Sequence, residues 1–203
     1  MKKLPIFFLL FSLIPNLPVS ADTFITGKKA KKILLKGPAR LSDVKADSVI
    51  IDGYLAFNNL EVTGDVTVSH PIREESQNLK CRHLTLGKSI TANNVQCESA
   101  YICGSACLEN IEVSGNTTIT SNAKIKNGKM SNLNLTSNEI HLNNVNLKDI
   151  IIEETRNSTN QVLYLKGKSI ADNISFKSGN GVIFMDKESK VNGEINGAIV
   201  NRE

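Results

Sequence analysis

The chain of 203 residues contains no tryptophan, and only 5% of its residues are aromatic. Binding sites for nucleic-acid bases and for sugar rings commonly use aromatic side chains as stacking platforms, so this scarcity counts against both kinds of binder. The net charge of +4 is small and gives no strong preference for a polyanion. We therefore expect no nucleic-acid partner.

Helical periodicity and catalytic motifs are also lacking after residue 21. No stretch of about ten residues has apolar positions at three- and four-residue spacing. The motifs GxSxG, HExxH and the P-loop do not occur. The histidines, His70, His83 and His141, lie far apart, and no carboxylate pair has a spacing that places two carboxyl groups across a glycosidic bond. We predict no catalytic residue, no cofactor and no metal site.

One long apolar run does occur, at the start of the chain. Residues Leu4–Ile14 follow the positive segment Met1-Lys2-Lys3, and small residues end the segment at Val19-Ser20-Ala21. This layout is typical of a secretory signal peptide, and the run is shorter than the roughly 20 residues that a membrane anchor needs. We expect residues 1–21 to be removed, the protein to be periplasmic or secreted, and residues 22–203 to form one domain.

The remainder of the chain repeats at about every 16 or 17 residues. Ile33 recurs as Val49 and again as Val66, and Leu133 recurs as Ile150. Turn-forming residues, many of them asparagine, separate short alternating segments such as Val66-Thr67-Val68. Asparagine tolerates left-handed backbone and can bond to its equivalent in the next coil, so we place it at corners.

The section from Ile125 to Ile152 shows a second period, with an apolar residue at about every fifth position. A pentapeptide-repeat helix fits poorly, because the small residue it needs before each apolar residue is mostly missing. A short period nested in a longer one is expected of a chain that winds as a flat-sided coil. We predict an all-β fold, a single-stranded right-handed β-solenoid (β-helix) with about 16–17 residues per coil and about ten coils.

Two segments interrupt the repeat, at residues 70–80 (HPIREESQNLK) and 153–160 (EETRNSTN). We predict loops at both places. The first is either a tolerated insertion or a loop that carries function. The second is either an insertion or a wide corner, because Val145 still recurs as Val162 at the usual offset.

The four cysteines lie close together, at Cys81, Cys97, Cys103 and Cys107. An even number of cysteines in an exported chain favours disulfides. Cys81 and Cys97 are about one coil apart, so we expect them to stack within reach of a bridge, and we pair Cys103 with Cys107 around a corner. A zinc site or a redox-active pair is the alternative, but the CxxC spacing and the helix start that these sites use are missing.

One region is strongly biased in charge. Its basic residues face a single acid, Asp43, and the candidate patch consists of Lys28, Lys29, Lys31, Lys32, Lys36 and Arg40. The patch either binds an anionic surface of the cell envelope, such as lipid headgroups or polyanionic glycan, or protects the open strand edge of the first coil from edge-to-edge growth.

Two segments resemble coils of the bactofilin family, LEVTGDVTV at residues 60–68 and VNGEINGAIV at residues 191–200. The bactofilin repeat is Val-x-Gly-x-Ile-x-Gly, with about 17 residues per turn of a right-handed triangular solenoid. That family polymerises end to end. The resemblance implies a solenoid fold and, with it, a scaffold role.

We expect an exported, non-enzymatic structural or interaction protein of the cell envelope or secreted fraction. Such a rigid solenoid would dock a protein partner or associate with itself. The alternative is a β-helix protein that binds or modifies polysaccharide. A sugar binder should carry aromatic and acidic residues in register on one face, and an offset of about 17 residues aligns none. The scaffold is therefore the leading interpretation.

Overall fold

The computed structural model of the chain describes residues 22–156 and 160–203. The expected signal peptide, residues 1–21, lies outside the described residues. The described residues form strands and no helix, and every strand pair is parallel within one continuous sheet. The strands are β1 (Thr23–Thr26), β2 (Lys29–Lys36), β3 (Ala39–Asp52), β4 (Leu55–Val62), β5 (Asp65–Val68), β6 (Ile72–Lys80), β7 (His83–Leu86), β8 (Ile90–Cys97), β9 (Ser99–Ile102), β10 (Ala106–Ile119), β11 (Ala123–Leu135), β12 (Glu139–Ile152), β13 (Gln161–Lys166), β14 (Ile170–Phe176), β15 (Gly181–Met185), β16 (Lys190–Val191), β17 (Ile195–Asn196) and β18 (Ala198–Arg202).

Strand β10 shows how one coil is built. Its residues 106–109, 111–113 and 117–119 pair in register with β11 in the next coil, with short corners between them. We call these three straight segments face 1, face 2 and face 3, and use the same names for their equivalents in other coils. About ten such coils stack, which at the usual spacing of about 4.8 Å gives a rod roughly 50 Å long. The all-β solenoid predicted from the sequence is confirmed, while its handedness stays a prediction.

The core lies inside the winding and runs along the whole rod. In β10 the inward side chains are Ala106, Leu108, Ile111, Val113, Thr117 and Ile119, two from each face, and all six are buried. The same inward positions in other coils hold mostly Val, Leu, Ile and Ala, which form one continuous hydrophobic cluster. Each coil buries only a small apolar set, so its stability depends on the coils stacked above and below it.

The corner between faces 1 and 2 depends on left-handed backbone. Asn110 has a φ of 56°, and positive φ recurs at this corner in other coils, at Asp43, Asn59, Asn78, Asn94, Asn127, Asn144 and Lys168. Asparagine adopts this conformation because its short polar side chain bonds locally. The side chains also bond along the rod, with Asn94 Nδ2 donating to Asn78 Oδ1 at 2.7 Å and Asn144 Nδ2 to Asn127 Oδ1 at 2.8 Å. We call Asp43, Asn59, Asn78, Asn94, Asn110, Asn127 and Asn144 the asparagine ladder. The prediction that asparagine occupies corners is confirmed at this corner.

The register confirms the predicted repeat up to the second interruption. Ile33 pairs with Val49, Val49 pairs with Val66, and Leu133 pairs with Ile150. Directly after residue 153 the predicted offset is wrong, because Val162 pairs with Glu139 instead of Val145. An offset of 17 residues returns in the last coil, where Val182 pairs with Ile199.

The segment 153–160 is therefore an insertion, and its interpretation as a wide corner is wrong. Glu139 and Val162 are partners although they lie about six residues further apart than one ordinary coil. Residues 157–159 of this segment lie outside the described part of the chain.

The predicted loop at residues 70–80 is also wrong over most of its length, because β6 covers Ile72–Lys80. The extra residues are confined to a bulge between Ile72 and Ser76, where the register with both neighbouring coils shifts. A bulge absorbs inserted residues without ending the strand. Ser76 and Leu79 remain buried and hold the segment against the core.

Within residues 22–156 and 160–203 there is no helix of the length and apolar character that crossing a membrane requires.

Candidate functional site

The two ends of the rod have strand edges without a partner in the described part of the chain. At the first coil, β1 and β2 pair only with β3. At the last coil, β18 pairs only with β15. Open edges carry N–H and C=O groups that can extend a parallel ladder, so each end is a ready surface for another strand.

Large apolar side chains are exposed on these terminal coils. Phe24 is 69% exposed and Leu34 is 63% exposed on the first coil, and Ile199 is 70% exposed on the last. Side chains in register on neighbouring strands pack against each other, so a further coil at either end would cover part of this apolar surface.

The predicted basic patch is divided by the structure. Lys28 precedes β2, and Lys29, Lys31, Lys32 and Lys36 lie on it, all of them exposed. Arg40 lies on β3 in the second coil, where its Nε is 3.6 Å from a carboxylate oxygen of Asp22. We call the five lysines the lysine end. Arg40 belongs to a different local environment.

The last coil, in contrast, exposes acidic groups. Glu188, Glu194 and Glu203 are all exposed there, although basic residues accompany them. The carboxylate of Glu203 accepts a bond from Lys166 Nζ at 2.9 Å, and this partner raises the pKa of Lys166. The two ends of the rod thus differ in charge, with the first strongly basic and the last mixed.

The structure has four free cysteines, so the predicted Cys81–Cys97 and Cys103–Cys107 disulfides are not formed in it. The predicted stacking of Cys81 on Cys97 is nevertheless confirmed, because Lys80 and Gln96 immediately before them are in register. Both side chains are buried in the core. The hydrogen bond between the two thiols, together with burial, raises the pKa of Cys81, so these residues act as small core side chains.

Cys103 and Cys107 are both exposed. Cys103 follows β9 at the end of face 3, whereas Cys107 lies on face 1 between Thr91 and Lys124. The chain turns a corner between them, so they belong to different faces of the rod.

Three rings stack along the outside of face 1, a feature that the sequence reasoning missed. His141 pairs in register with Tyr164, and Tyr164 pairs with Phe184. The ring centroids are 4.5 Å and 5.3 Å apart, with interplanar angles of 9° and 14°. An offset of about 17 residues could not align these rings, because the insertions separate them by 23 and 20 positions.

The stacked rings are poorly suited to bind sugars. A sugar ring packs against the face of an aromatic side chain. In this stack the inner faces are already covered by neighbouring rings, and mainly ring edges are directed outward. His141 is further held by Glu139, whose carboxylate oxygen lies 2.8 Å from His141 Nε2. We interpret the stack as a stabilising ladder between coils.

A long polar trough runs along face 2. The asparagine ladder lines one side, and the other side is lined by the outward column Lys45, Glu61, Lys80, Gln96, Glu112 and Lys129. Two grooves of about 480 Å³ and 560 Å³ meet at Asn94 and Gln96 and make the trough continuous. Lys45 bonds to Glu61 and lowers the pKa of that carboxyl, and Gln96 Nε2 donates to Glu112 at 2.9 Å.

No family model, curated protein or solved structure matches this chain. The class defined by its fold is a parallel β-solenoid of about ten turns, as the bactofilin resemblance implies. Membership of the bactofilin family itself stays a prediction.

Proposed function

We propose that the protein is an exported, non-enzymatic scaffold, a rigid rod that associates head to tail with further copies of itself. The observation that carries this proposal is the pair of terminal coils, each with an unpaired parallel strand edge and an exposed apolar side chain. A distant relationship to bactofilins is part of the proposal, supported by the coil length and the two resembling segments.

Charge determines which ends can meet. Two lysine ends would bring ten like charges close together at short range, which costs free energy unless salt screens them. A lysine end against the last coil brings lysines near Glu188, Glu194 and Glu203 instead. Such a head-to-tail contact is heterologous and does not close, so it extends into a row of rods.

The first rod of a row keeps its lysine end uncovered. That end would face the anionic surface of the envelope, and a partner protein with an open strand edge would compete for the same place. Export, and hence a periplasmic or extracellular setting, rests on residues 1–21 alone.

Sedimentation velocity over a range of protein concentrations tests the proposal. The wild-type chain should form concentration-dependent multiples. The triple variant Lys29→Glu, Lys32→Glu, Lys36→Glu should associate at least about tenfold more weakly. The control is Lys80→Glu, Lys124→Glu, Lys129→Glu, which makes the same change in charge on middle coils and should associate like wild type. A wild-type monomer at all concentrations would overturn the proposal.

A further inference from the structure

We infer that the trough on face 2 binds an uncharged polysaccharide laid along the rod axis. The inference does not depend on self-association, since one rod contains the whole trough. The trough extends from Asp43 to Ile170, with the asparagine ladder along one wall. At about 4.8 Å per coil it is roughly 30 Å long, which suits a polymer better than a small molecule.

The charges in the trough favour an uncharged ligand. Acidic and basic side chains alternate in the outward column along one side, with Glu61 between Lys45 and Lys80, and Glu112 followed by Lys129. Lys45 and Glu61 already form an ion pair. A polyanion would meet a carboxylate every few coils, and a polycation would meet lysines, so neither gains a consistent attraction along the trough.

The hydrogen-bonding groups in the trough repeat with the coils. Within the ladder, Asn78 Nδ2 donates to Asn59 Oδ1 and Asn94 Nδ2 donates to Asn78 Oδ1, each at 2.7 Å. An amide has two N–H donors and an oxygen with two acceptor sites, so Asn78 keeps a donor and an acceptor site beyond these bonds. A polyhydroxylated chain, which repeats donors and acceptors along its own length, is the polymer that matches such an array.

Peptide ligands fit this surface less well. The trough runs across the strands, whose N–H and C=O groups are already used in the parallel ladders between coils, so no strand can be added there. The described lining is mostly amide and charged side chains, which offer no pocket for the apolar anchors that peptides use. The aromatic stack on face 1 is not an alternative sugar site, because its rings cover one another.

The test measures binding of the purified protein to cellohexaose, chitohexaose and maltohexaose by calorimetry, with heparin as the polyanion. We expect one of the neutral oligosaccharides to bind, and its affinity to change by less than about twofold between low and high salt. The triple variant Gln96→Ala, Glu112→Ala, Lys129→Ala should weaken this binding at least about tenfold. These side chains are exposed and point outward from face 2, so circular dichroism should be unchanged.

The control is Thr67→Ala, Thr85→Ala, Thr118→Ala, which truncates outward side chains on face 3 in three coils that the trough also crosses. It should bind like wild type. Three results would overturn the inference: no neutral oligosaccharide binds, the face 3 control loses as much affinity as the trough variant, or heparin alone binds and salt abolishes it. Oligosaccharide binding by a strict monomer would support the trough while refuting head-to-tail assembly.

Discussion

At the scale of single residues, the asparagine ladder joins backbone conformation to stacking. Asn110 has left-handed φ, donates to Asn93 Oδ1 at 2.8 Å and accepts from Asn127 at 3.2 Å. The same residue therefore turns the corner and couples its coil to both neighbours. Few side chains other than asparagine satisfy both demands.

Replacing Asn110 separates the contribution of its left-handed backbone from that of its hydrogen bonds to the neighbouring coils. Asn110→Ala loses the bonds and also places an ordinary side chain in left-handed backbone, so it should lower the free energy of unfolding by about 2 kcal/mol. Asn110→Gly loses only the bonds and should cost about 1 kcal/mol. Urea denaturation of both variants measures the difference. Equal costs would show that the corner conformation contributes nothing.

Thr117 is buried in the core, and its hydroxyl oxygen has no hydrogen-bond partner. It stacks between Ala100 and Leu133. Thr117→Val keeps the shape and removes the unpaired hydroxyl, so we expect it to raise the free energy of unfolding by about 1 kcal/mol. Thr118→Val, on the outside of the same strand, should change stability by less than about 0.5 kcal/mol. A destabilised Thr117→Val would mean that the hydroxyl is satisfied in solution.

Thiol labelling distinguishes the buried cysteines from the exposed ones. In the native protein a maleimide should react at Cys103 and Cys107, while Cys81 and Cys97 react only after denaturation. Mass spectrometry should count two adducts before denaturation and four after it. If an unreduced sample takes no label in either state, the disulfides predicted from the sequence are formed in solution.

At the scale of strands and corners, the wide turn after β15 is held by one carboxylate. Asp186 accepts bonds from the backbone N–H of Gly167 at 2.6 Å and of Ser189 at 2.8 Å. The Ser189 side chain is the main cause that lowers the pKa of Asp186, and the backbone donors add to it. The ionised carboxylate is thus the form that closes this turn.

The stabilisation from Asp186 should depend on pH in a defined direction. Because its pKa is lowered by folding, its contribution is present above its ordinary pKa of about 3.9 and is lost as the pH falls through the lower folded value. Asp186→Asn should cost about 1 kcal/mol at neutral pH, allowing for its partial exposure. The difference in the free energy of unfolding between wild type and variant should become smaller below about pH 4. A difference in the free energy of unfolding that stays constant from neutral to strongly acidic pH would contradict this role.

Strand register shows how far the sequence could predict the fold. Before residue 153 and outside the bulge in β6, apolar residues such as Leu133 and Ile150 recur after 16 or 17 residues, and that offset is the true register because each coil must refill the same core column. The change to polar composition at residues 70–80 and 153–160 located both interruptions of the repeat. The number of inserted residues was not predictable. An insertion leaves the core columns unchanged, but it changes the number of residues between partners in adjacent coils.

The surface features also include some that the sequence could predict and some that it could not. The asparagine corners were predictable because one residue type recurs where the backbone demands it. The stack of His141, Tyr164 and Phe184 was not, because insertions of unknown length lie between the rings. The lysine end was visible as a charge-biased segment, but only the structure separated Arg40 from it.

At the scale of the whole molecule, the rod combines open ends with a polar trough along one side. Head-to-tail stacking would continue the parallel ladder and bring successive troughs into line. A row of rods would then present one long surface to a polysaccharide, which no single rod can do. Assembly and ligand binding would reinforce each other in such a row, as expected for linked binding sites.

Hydrogen exchange at low and high protein concentration tests the central claim, that the ends are the interface. Amides of β2 and β18 at the open edges should exchange rapidly in dilute protein and become protected as concentration rises. Amides of β10 and β11, already paired on both sides, should stay equally protected throughout. Protection that does not depend on concentration at β2 and β18, in a protein that remains monomeric, would contradict a scaffold built through its ends.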